Sequence, residues 1–251
     1  MLLNVKIKGK NMKKILPFLA PICLFANSCN ELVQESVSEF YKSDRNLARA
    51  INLAEQATDV CLKESNTEQA ITSLINGASI CMVNKEPQKA LELSQRALEL
   101  AANVSDKLLL ARSYQNIGAA KKMLGKYDEA LANFQEAQKI YDVTPNAPMR
   151  DELLCIKSIG STYYMKNDFA KAYENHILAL NLLDITPDLS NNELVRSELL
   201  IEVANDLAKL DGKDQAAKNY KEVLEILKGK EQNPRALGLL ERASKGLKEL
   251  N

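Results

Sequence analysis

The chain repeats a pattern of small and large residues at a nearly constant interval, and this constrains its fold more than any other feature. Ala130, Phe134 and Ala137 stand four and then three residues apart, the spacing of one helix face. The same register begins again at positions 50, 90, 172 and 216, so successive copies are 40, 40, 42 and 44 residues apart. A small residue stands twelve positions before each copy: Ser38, Ala78, Gly118, Gly160 and Ala204. Self-similarity at such a period predicts a solenoid of stacked two-helix units.

The composition agrees with a helical, folded protein. Only 9 of the 251 residues are glycine, and runs of alternating β-branched residues are absent. Hydrophobic residues make up 46% and charged residues 26%, which is the balance of a folded rather than a disordered chain. Lys plus Arg equals Asp plus Glu at 33 each. There is no basic field to attract nucleic acid, and we predict no nucleic-acid partner.

Two units carry the most specific motifs, which are Tyr114-x-x-Ile117-Gly118 followed by Ala130-x-x-x-Phe134, and Ile156-x-x-Ile159-Gly160-x-x-Tyr163 followed by Ala172. These motifs resemble the tetratricopeptide repeat (TPR). The period resembles the longer-period class of that family, found in kinesin light chain and in peptide-sensing bacterial regulators. The resemblance implies an all-α, right-handed α-solenoid of about five helix-turn-helix units over residues 29–230, with a capping helix within 231–251.

The pattern also predicts how one unit packs. Small residues at positions 118 and 130 would let two helices approach closely, and large residues at 114, 127 and 134 would fill the remaining gaps. Helix-breaking residues fall where the units require links: Pro87 and Gly125 within hairpins, and Pro145, Pro148 and Pro187 between units.

The first 28 residues have the order of a secretory signal peptide. Lys13 and Lys14 precede an uncharged apolar run over 15–26, which is followed by the small-x-small site Ala26-Asn27-Ser28. Met12 is an alternative start to Met1. The order predicts an exported chain whose mature form begins at Cys29. In a bacterium that protein would be periplasmic or associated with the outer membrane.

The cysteines leave one question open. Cys29 directly follows the small residues, as a lipidated cysteine follows a bacterial lipobox, so simple cleavage and lipidation at Cys29 are both open. We expect contact with a membrane only if Cys29 is lipidated. Cys81 would lie about 15 Å along its helix from the level of Cys61, beyond disulfide reach. Cys61, Cys81 and Cys155 are therefore predicted to be buried free thiols, and the absence of C-x-x-C argues against a metal site.

No motif of a stand-alone enzyme occurs, whether a Walker loop, G-x-S-x-G or H-E-x-x-H. The one histidine, His176, holds the register position of Phe134. We predict that it is a packed, neutral core residue rather than a general base. The sequence thus predicts no catalytic residue, no cofactor and no enzyme.

In the TPR family, the first helix of each unit lines a concave groove. Carried onto this sequence, the resemblance implies the candidate peptide-binding residues Asn76, Arg112, Gln115, Asn116, Lys122, Lys157, Ser161 and Asn205, with Ser79, Tyr164 and Glu202 in neighbouring positions. An asparagine amide can bond to a ligand backbone on both its donor and acceptor sides. Arg112 and Lys157 would receive an acidic side chain.

These patterns favour an exported, non-catalytic protein that binds a peptide or a partner protein in the groove. The alternative is a lipid-anchored structural subunit of a bacterial envelope assembly that uses its convex surface or edges. A third hypothesis is a regulator that acts on a signalling partner. The partner itself has no signature in the sequence.

Overall fold

The structure, a computed structural model, describes residues 28–186, 189 and 192–250. The predicted signal peptide, apart from Ser28, lies outside these residues, and so does Pro187. The described part contains no strand, and its helices are α1 (Cys29–Tyr41), α2 (Leu47–Lys63), α3 (Thr67–Val83), α4 (Pro87–Ala101), α5 (Lys107–Met123), α6 (Tyr127–Val143), α7 (Met149–Met165), α8 (Phe169–Ile185), α9 (Glu193–Lys209), α10 (Lys213–Ile226) and α11 (Pro234–Glu249).

The helices stack as the repeat predicts. Helices α1 to α10 form five successive pairs, and each helix packs mainly against its neighbours in sequence. The apolar core continues from one pair to the next: the cluster around Phe134 and Ala130 also contains Cys155 and Ile159 of the following unit. No unit therefore buries its apolar face alone, which is the physical basis of a solenoid. The predicted all-α solenoid is confirmed.

The turns inside the units keep the period of the sequence. Lys85, Gly125, Asn167 and Asp211 adopt left-handed backbone conformations, with φ of 62°, 75°, 60° and 60°. They are 40, 42 and 44 residues apart, the same intervals as in the sequence repeat. Glycine takes this conformation without a Cβ penalty, and Asn and Asp tolerate it better than most residues do. Three-residue links of this kind bring the two helices of a unit together.

Close packing between a glycine and a ring explains the small-large pattern. A Cβ atom on Gly118 would lie 2.8 Å from Cδ1 of Phe134, and a Cβ on Gly160 would lie 2.5 Å from Cδ2 of His176. Both distances are shorter than a van der Waals contact allows. Ala130 is fully buried beside Phe134. Glycine at these positions is required by the close approach of the rings, as the sequence predicted.

Helix α11 covers the end of the last unit. Asn233 caps it by accepting hydrogen bonds from two backbone N–H groups of the first turn, and Pro234 occupies the first position, where its missing N–H has no partner to lose. Leu239 and Ala243 are buried in one cluster with residues of α9 and α10. The apolar face that a terminal repeat would otherwise expose is thereby covered.

The cysteine predictions require a correction. Cys29 and Cys61 form a disulfide with their Cα atoms 4.6 Å apart, so the prediction of a free thiol at Cys61 is wrong. The pairing of α1 with α2 brings the start of one helix beside the end of the other, so two cysteines that are 32 residues apart in the sequence meet when this hairpin closes. Cys81 and Cys155 are buried free thiols, as predicted, and burial raises their pKa values to about 11 and about 12.

The disulfide also bears on lipidation at Cys29. A sulfur atom that is bonded to Cys61 has no valence left for a thioether-linked lipid. The two uses of Cys29 are mutually exclusive, and the structure contains the disulfide.

Candidate functional site

The structure separates the candidate residues into two groups on the first helices of the units. One depression of about 270 Å³ lies between α3, α5 and α7, and its lining includes Asn76, Arg112, Gln115 and Asn116. We call it the N-terminal patch. A second, larger depression of about 640 Å³ has Lys122, Ser161 and Asn205 in its lining. We call it the C-terminal cleft. Lys157 lines neither of them.

The polar groups of the N-terminal patch are largely bonded to one another. Nε and Nη2 of Arg112 both lie 2.8 Å from Oδ2 of Asp151. Oε1 of Gln115 accepts a hydrogen bond of 2.8 Å from the hydroxyl of Tyr141. Burial raises the pKa of Tyr141 above its ordinary value, so the hydroxyl keeps its hydrogen as a donor. Arg112, which was predicted to receive a ligand carboxylate, already has one.

Asn116 does bond to a peptide backbone, but that backbone belongs to a neighbouring helix. Its Nδ2 donates to the carbonyl oxygen of Ile75 at 3.0 Å and to Oγ of Ser79 at 3.3 Å. The amide therefore links α5 to α3. Asn76 holds the same register position one repeat earlier and is half-buried, and no side-chain hydrogen bond to another described residue occupies it.

Lys157 is part of an ion-pair group between the two depressions. Its Nζ lies 2.9 Å from Oε1 of Glu198, and Nη2 of Arg235 lies 2.8 Å from Oε2 of the same carboxylate. Burial alone would raise the pKa of Glu198, but the two cations hold it below its ordinary value. These ion pairs connect α7, α9 and α11, and both Lys157 and Arg235 are paired with the carboxylate of Glu198.

The C-terminal cleft is formed by parts of several helices. The end of α5 and the following turn, the start of α6, and helices α7, α9 and α11 contribute its walls, while α8 contributes a floor residue. Its lining consists of Lys122, Met123, Leu124, Gly125, Tyr127, Ser161, Tyr164, Met165, His176, Glu202, Asn205 and Arg242. Met123 and Met165 are exposed at 44% and 54% and stand at the last positions of α5 and α7.

The floor of the cleft is a buried polar cluster around His176. Only 2% of His176 is exposed, and its Nδ1 lies 2.6 Å from Oδ2 of Asp206, which is fully buried. Its Nε2 lies 3.3 Å from Oε2 of Glu202. Burial raises the pKa of Asp206, against the hydrogen bond from His176. Burial likewise raises the pKa of Glu202, against the charges of Lys157 and His176. The prediction of a packed residue is confirmed, but its surroundings are polar.

The hydrogen-bonding pattern of this cluster is incomplete. An ionised Asp206 can only accept, and in that state Nδ1 of His176 carries the hydrogen of the 2.6 Å contact. Nε2 of His176 and Oε2 of Glu202 are buried and make no hydrogen bond to another described residue. Because two bare acceptors repel at 3.3 Å, the pair is favourable only when one of them carries a proton.

The cleft does not assemble a nucleophile with this histidine. Oγ of Ser161 donates to the carbonyl oxygen of Lys157 at 2.8 Å, and Oδ1 of Asn205 accepts from the hydroxyl of Tyr220 at 2.6 Å. The hydrogen of Ser161 is therefore not directed at His176. Among residues 28–186, 189 and 192–250, no cluster of His, Cys, Asp and Glu has a metal-binding arrangement. No helix in these ranges is long and apolar enough to cross a membrane.

A family model of the tetratricopeptide repeat matches residues 68–142, which correspond to α3 through α6 and include the contact of Gly118 with Phe134. The chain contains tetratricopeptide repeats. No curated protein matches its sequence.

Solved structures share the fold of this TPR protein at low sequence identity. A kinesin light chain-type protein with nearly identical TPR-like repeats from Podospora anserina matches with a TM-score of 0.62 and 16% identity, over 81% of this chain and 96% of that one. A signal-transduction ATPase with a TPR sensor from Pyrococcus horikoshii gives 0.66 and 15%, over 87% and 33%. A Rap protein complexed with Competence and Sporulation Factor gives 0.60 and 17%, over 88% and 64%. At these identities the likeness shows the fold alone.

Two features of the cleft in this TPR protein were not predicted. Asp206, the partner of His176, holds the register position of Ile80, Ala120 and Thr162, all of which are buried. A carboxylate in a position that is otherwise apolar or uncharged was a usable signal of a buried polar cluster. Arg242 gave no comparable signal, because it lies on the capping helix outside the repeat register.

Proposed function

We propose that this TPR protein is an exported, non-catalytic protein that binds a peptide or a partner protein at the C-terminal cleft. The observation that carries the proposal is the make-up of the cleft. It offers about 640 Å³ with apolar walls such as Tyr164 and Met165, and cationic groups on Lys122 and Arg242. A mostly apolar concavity with a few converging polar groups is the usual form of a ligand site. The N-terminal patch is less than half as large.

The family supports the same proposal. One structural neighbour, the Rap protein, was solved as a complex with Competence and Sporulation Factor, and the chain matches it along 88% of its own length. The TPR fold presents a row of first helices to a ligand, and here those helices supply most of the cleft. The absence of a Ser161–His176 hydrogen bond supports a binding role over a hydrolytic one.

Two observations support export. Residues 13–28 have the order of a signal peptide. Cys29 and Cys61 form a disulfide, and disulfides persist mainly in oxidising compartments outside the cytoplasm. The lipid-anchored alternative requires the same Cys29 sulfur for a thioether.

Counting alkylated thiols in the denatured, exported protein separates these alternatives. Without reduction, the disulfide leaves only Cys81 and Cys155 to react, and reduction then exposes Cys29 and Cys61. A lipidated chain would instead alkylate Cys61 before reduction and would carry the mass of the lipid. Recovery of residues 1–28 on the folded protein would contradict export.

Selection of random octapeptides displayed on phage tests binding at the cleft. We expect enriched peptides that bind the purified wild-type protein but not Ser161→Trp, because an indole at this half-buried position would fill the cleft. Ser79→Trp, an exposed position on the N-terminal patch, is the matched control and should leave binding intact. Thermal unfolding would verify that both variants fold. Peptides that bind both variants equally would contradict this site.

A further inference from the structure

The cationic side chains on the first helices of the units and on α11 differ in whether they already have a carboxylate partner. Arg112, Lys157 and Arg235 each have a carboxylate oxygen within 3 Å, at 2.8, 2.9 and 2.8 Å. Lys122 and Arg242 line the C-terminal cleft, and in the described part of the chain neither has a carboxylate oxygen within ion-pair distance. The cleft therefore concentrates the uncompensated positive charge of these side chains.

Lys122 is held in a position that is unfavourable for an isolated ammonium group. It is half-buried at the end of α5. Burial lowers its pKa below the ordinary value, Glu202 opposes this shift and Lys157 adds to it. An anionic group that entered the cleft would compensate the charge of Lys122. A charge-assisted hydrogen bond is strongest at such a partly buried position, where water screens it least.

Glu202 is the one carboxylate in the described lining of the cleft, and it does not neutralise both cations. Its Oε2 is turned to His176 at 3.3 Å, on the floor. Glu202 interacts with Lys122 and Arg242 only through the longer-range field. Against two cations in the lining there is thus one carboxylate, whose pKa burial raises. The lining of the cleft therefore has an excess of positive charge.

The remaining walls define what should stand beside an anion. Tyr127 and Tyr164 present aromatic rings, and Met123 and Met165 are exposed residues whose side chains adapt to the shape of an apolar partner. An aromatic or aliphatic side chain would remove this apolar surface from water.

We propose that the C-terminal cleft binds a peptide segment in which a carboxylate stands next to an apolar side chain, with the carboxylate between Lys122 and Arg242. The proposal rests on the proposed function and specifies the ligand chemistry of the same site. The carboxylate can be an Asp or Glu side chain or the C-terminus of the peptide. The N-terminal patch does not compete for such a group, because its arginine is already paired with Asp151.

The octapeptide selection tests this chemistry when it is run in two display formats, one with a free C-terminal carboxylate and one with the C-terminus linked to the phage. We expect enrichment of Asp or Glu beside an apolar residue in both formats if a side chain is recognised. Enrichment in the free format alone would assign recognition to the terminal carboxylate. Synthetic versions in which the acid is replaced by its amide should bind roughly 10-fold more weakly, the effect of losing a hydrogen bond to a charged group.

Variants of the two cations complete the test. Lys122→Met and Arg242→Gln should each weaken binding of a selected peptide roughly 10-fold. Arg96→Gln, which removes an exposed arginine of α4 away from the cleft, should change it less than twofold. Lys122→Glu should shift selection towards basic peptides. If Lys122→Met fails to fold, Arg242→Gln alone decides.

The outcomes separate this inference from the proposed function. Peptides that bind at the cleft but lack an acid, or that ignore both cation variants, overturn the inference and leave the proposed function standing. No enrichment on the wild-type protein in either format overturns both.

Discussion

In the third unit Gly118 faces Phe134, and in the fourth unit Gly160 faces His176 at the same register position 42 residues later. Both rings are buried, and both glycines are too close to them to carry a Cβ. Phe134 is surrounded by apolar residues such as Ala130 and is a packing element. His176 contacts two carboxylates and forms the floor of the cleft. The glycine fixes the space for a ring, whereas the residues of the following unit fix its chemistry.

The largest expected effect comes from removing Phe134, the apolar ring of the Phe134 and His176 pair. Phe134→Ala should lower the free energy of unfolding by about 3–5 kcal/mol, because a fully buried ring is lost and the rigid stack cannot collapse onto the cavity. Lys126→Ala, in the exposed turn before α6, should be nearly neutral. Chemical denaturation of both variants measures the difference. Equal denaturation midpoints for the two variants would show that the ring of Phe134 does not fill the space beside Gly118.

The polar member can be converted into the apolar one. His176→Phe should cost about 2–3 kcal/mol at neutral pH, because fully buried Asp206 loses its hydrogen-bond partner. Adding Asp206→Ala removes the unpaired carboxylate and places a small uncharged residue at the register position that Thr162 holds in the unit after Phe134, so it should recover most of the loss. A double variant no more stable than His176→Phe would show that the carboxylate is not the origin of the cost.

Adding a methyl group to either glycine tests the close glycine–ring contact that the third and fourth units share. Gly118→Ala and Gly160→Ala should each cost about 1–3 kcal/mol through overpacking against the ring. The same substitution at Gly238 meets open space within α11 and should stabilise the protein by up to about 1 kcal/mol through its helix propensity. Thermal unfolding of the three variants gives the signs. A neutral Gly160→Ala would mean that His176 can move away.

The smallest effect is a pH dependence that arises from Glu202 of the fifth unit, which lies beside His176 of the fourth. Because burial raises the pKa of Glu202 in the folded state, its stabilising contribution is present at low pH and is lost as the pH rises through that raised pKa. Glu202→Gln cannot ionise, so its stability relative to wild type should increase as the pH rises above about pH 4, the ordinary pKa of a glutamate. Glu92→Gln on the exposed side of α4 is the control. Denaturation curves across this range that stay parallel for Glu202→Gln and wild type would argue against a buried, ionising Glu202.

Much of the fold could be predicted because it depends on residues that are close in sequence. The intervals of 40, 42 and 44 residues in the sequence reappear as the spacing of the left-handed turn residues from Lys85 to Asp211. The glycine–ring pairs follow from one helical hairpin folding on itself. The candidate positions on the first helices were found because the family resemblance and the 3.6-residue period assign the same face to each unit.

The candidate site was predicted only in part. Contacts between units decide which candidate residues are already bonded to neighbouring helices and which line the C-terminal cleft without such a partner. Asn116 and Arg112 look like ligand-binding groups in the sequence, yet they bond to Ile75 and Asp151 on neighbouring helices. Lys122 has no such partner, and nothing in its local sequence distinguishes it from Arg112. Arg242 enters the cleft only because the capping helix packs against the last unit.

By itself, the sequence determined the repeat, its helices and the slot that each glycine leaves for a ring, since these depend on helical periodicity within about forty residues. Only the tertiary structure decided the Cys29–Cys61 disulfide, the pairing of Arg112 and Lys157, and the polar floor under the cleft. Whether a charge or a thiol has a partner depends on which helices stack beside it. The repeat makes those helices similar in shape and leaves their surface residues free to differ.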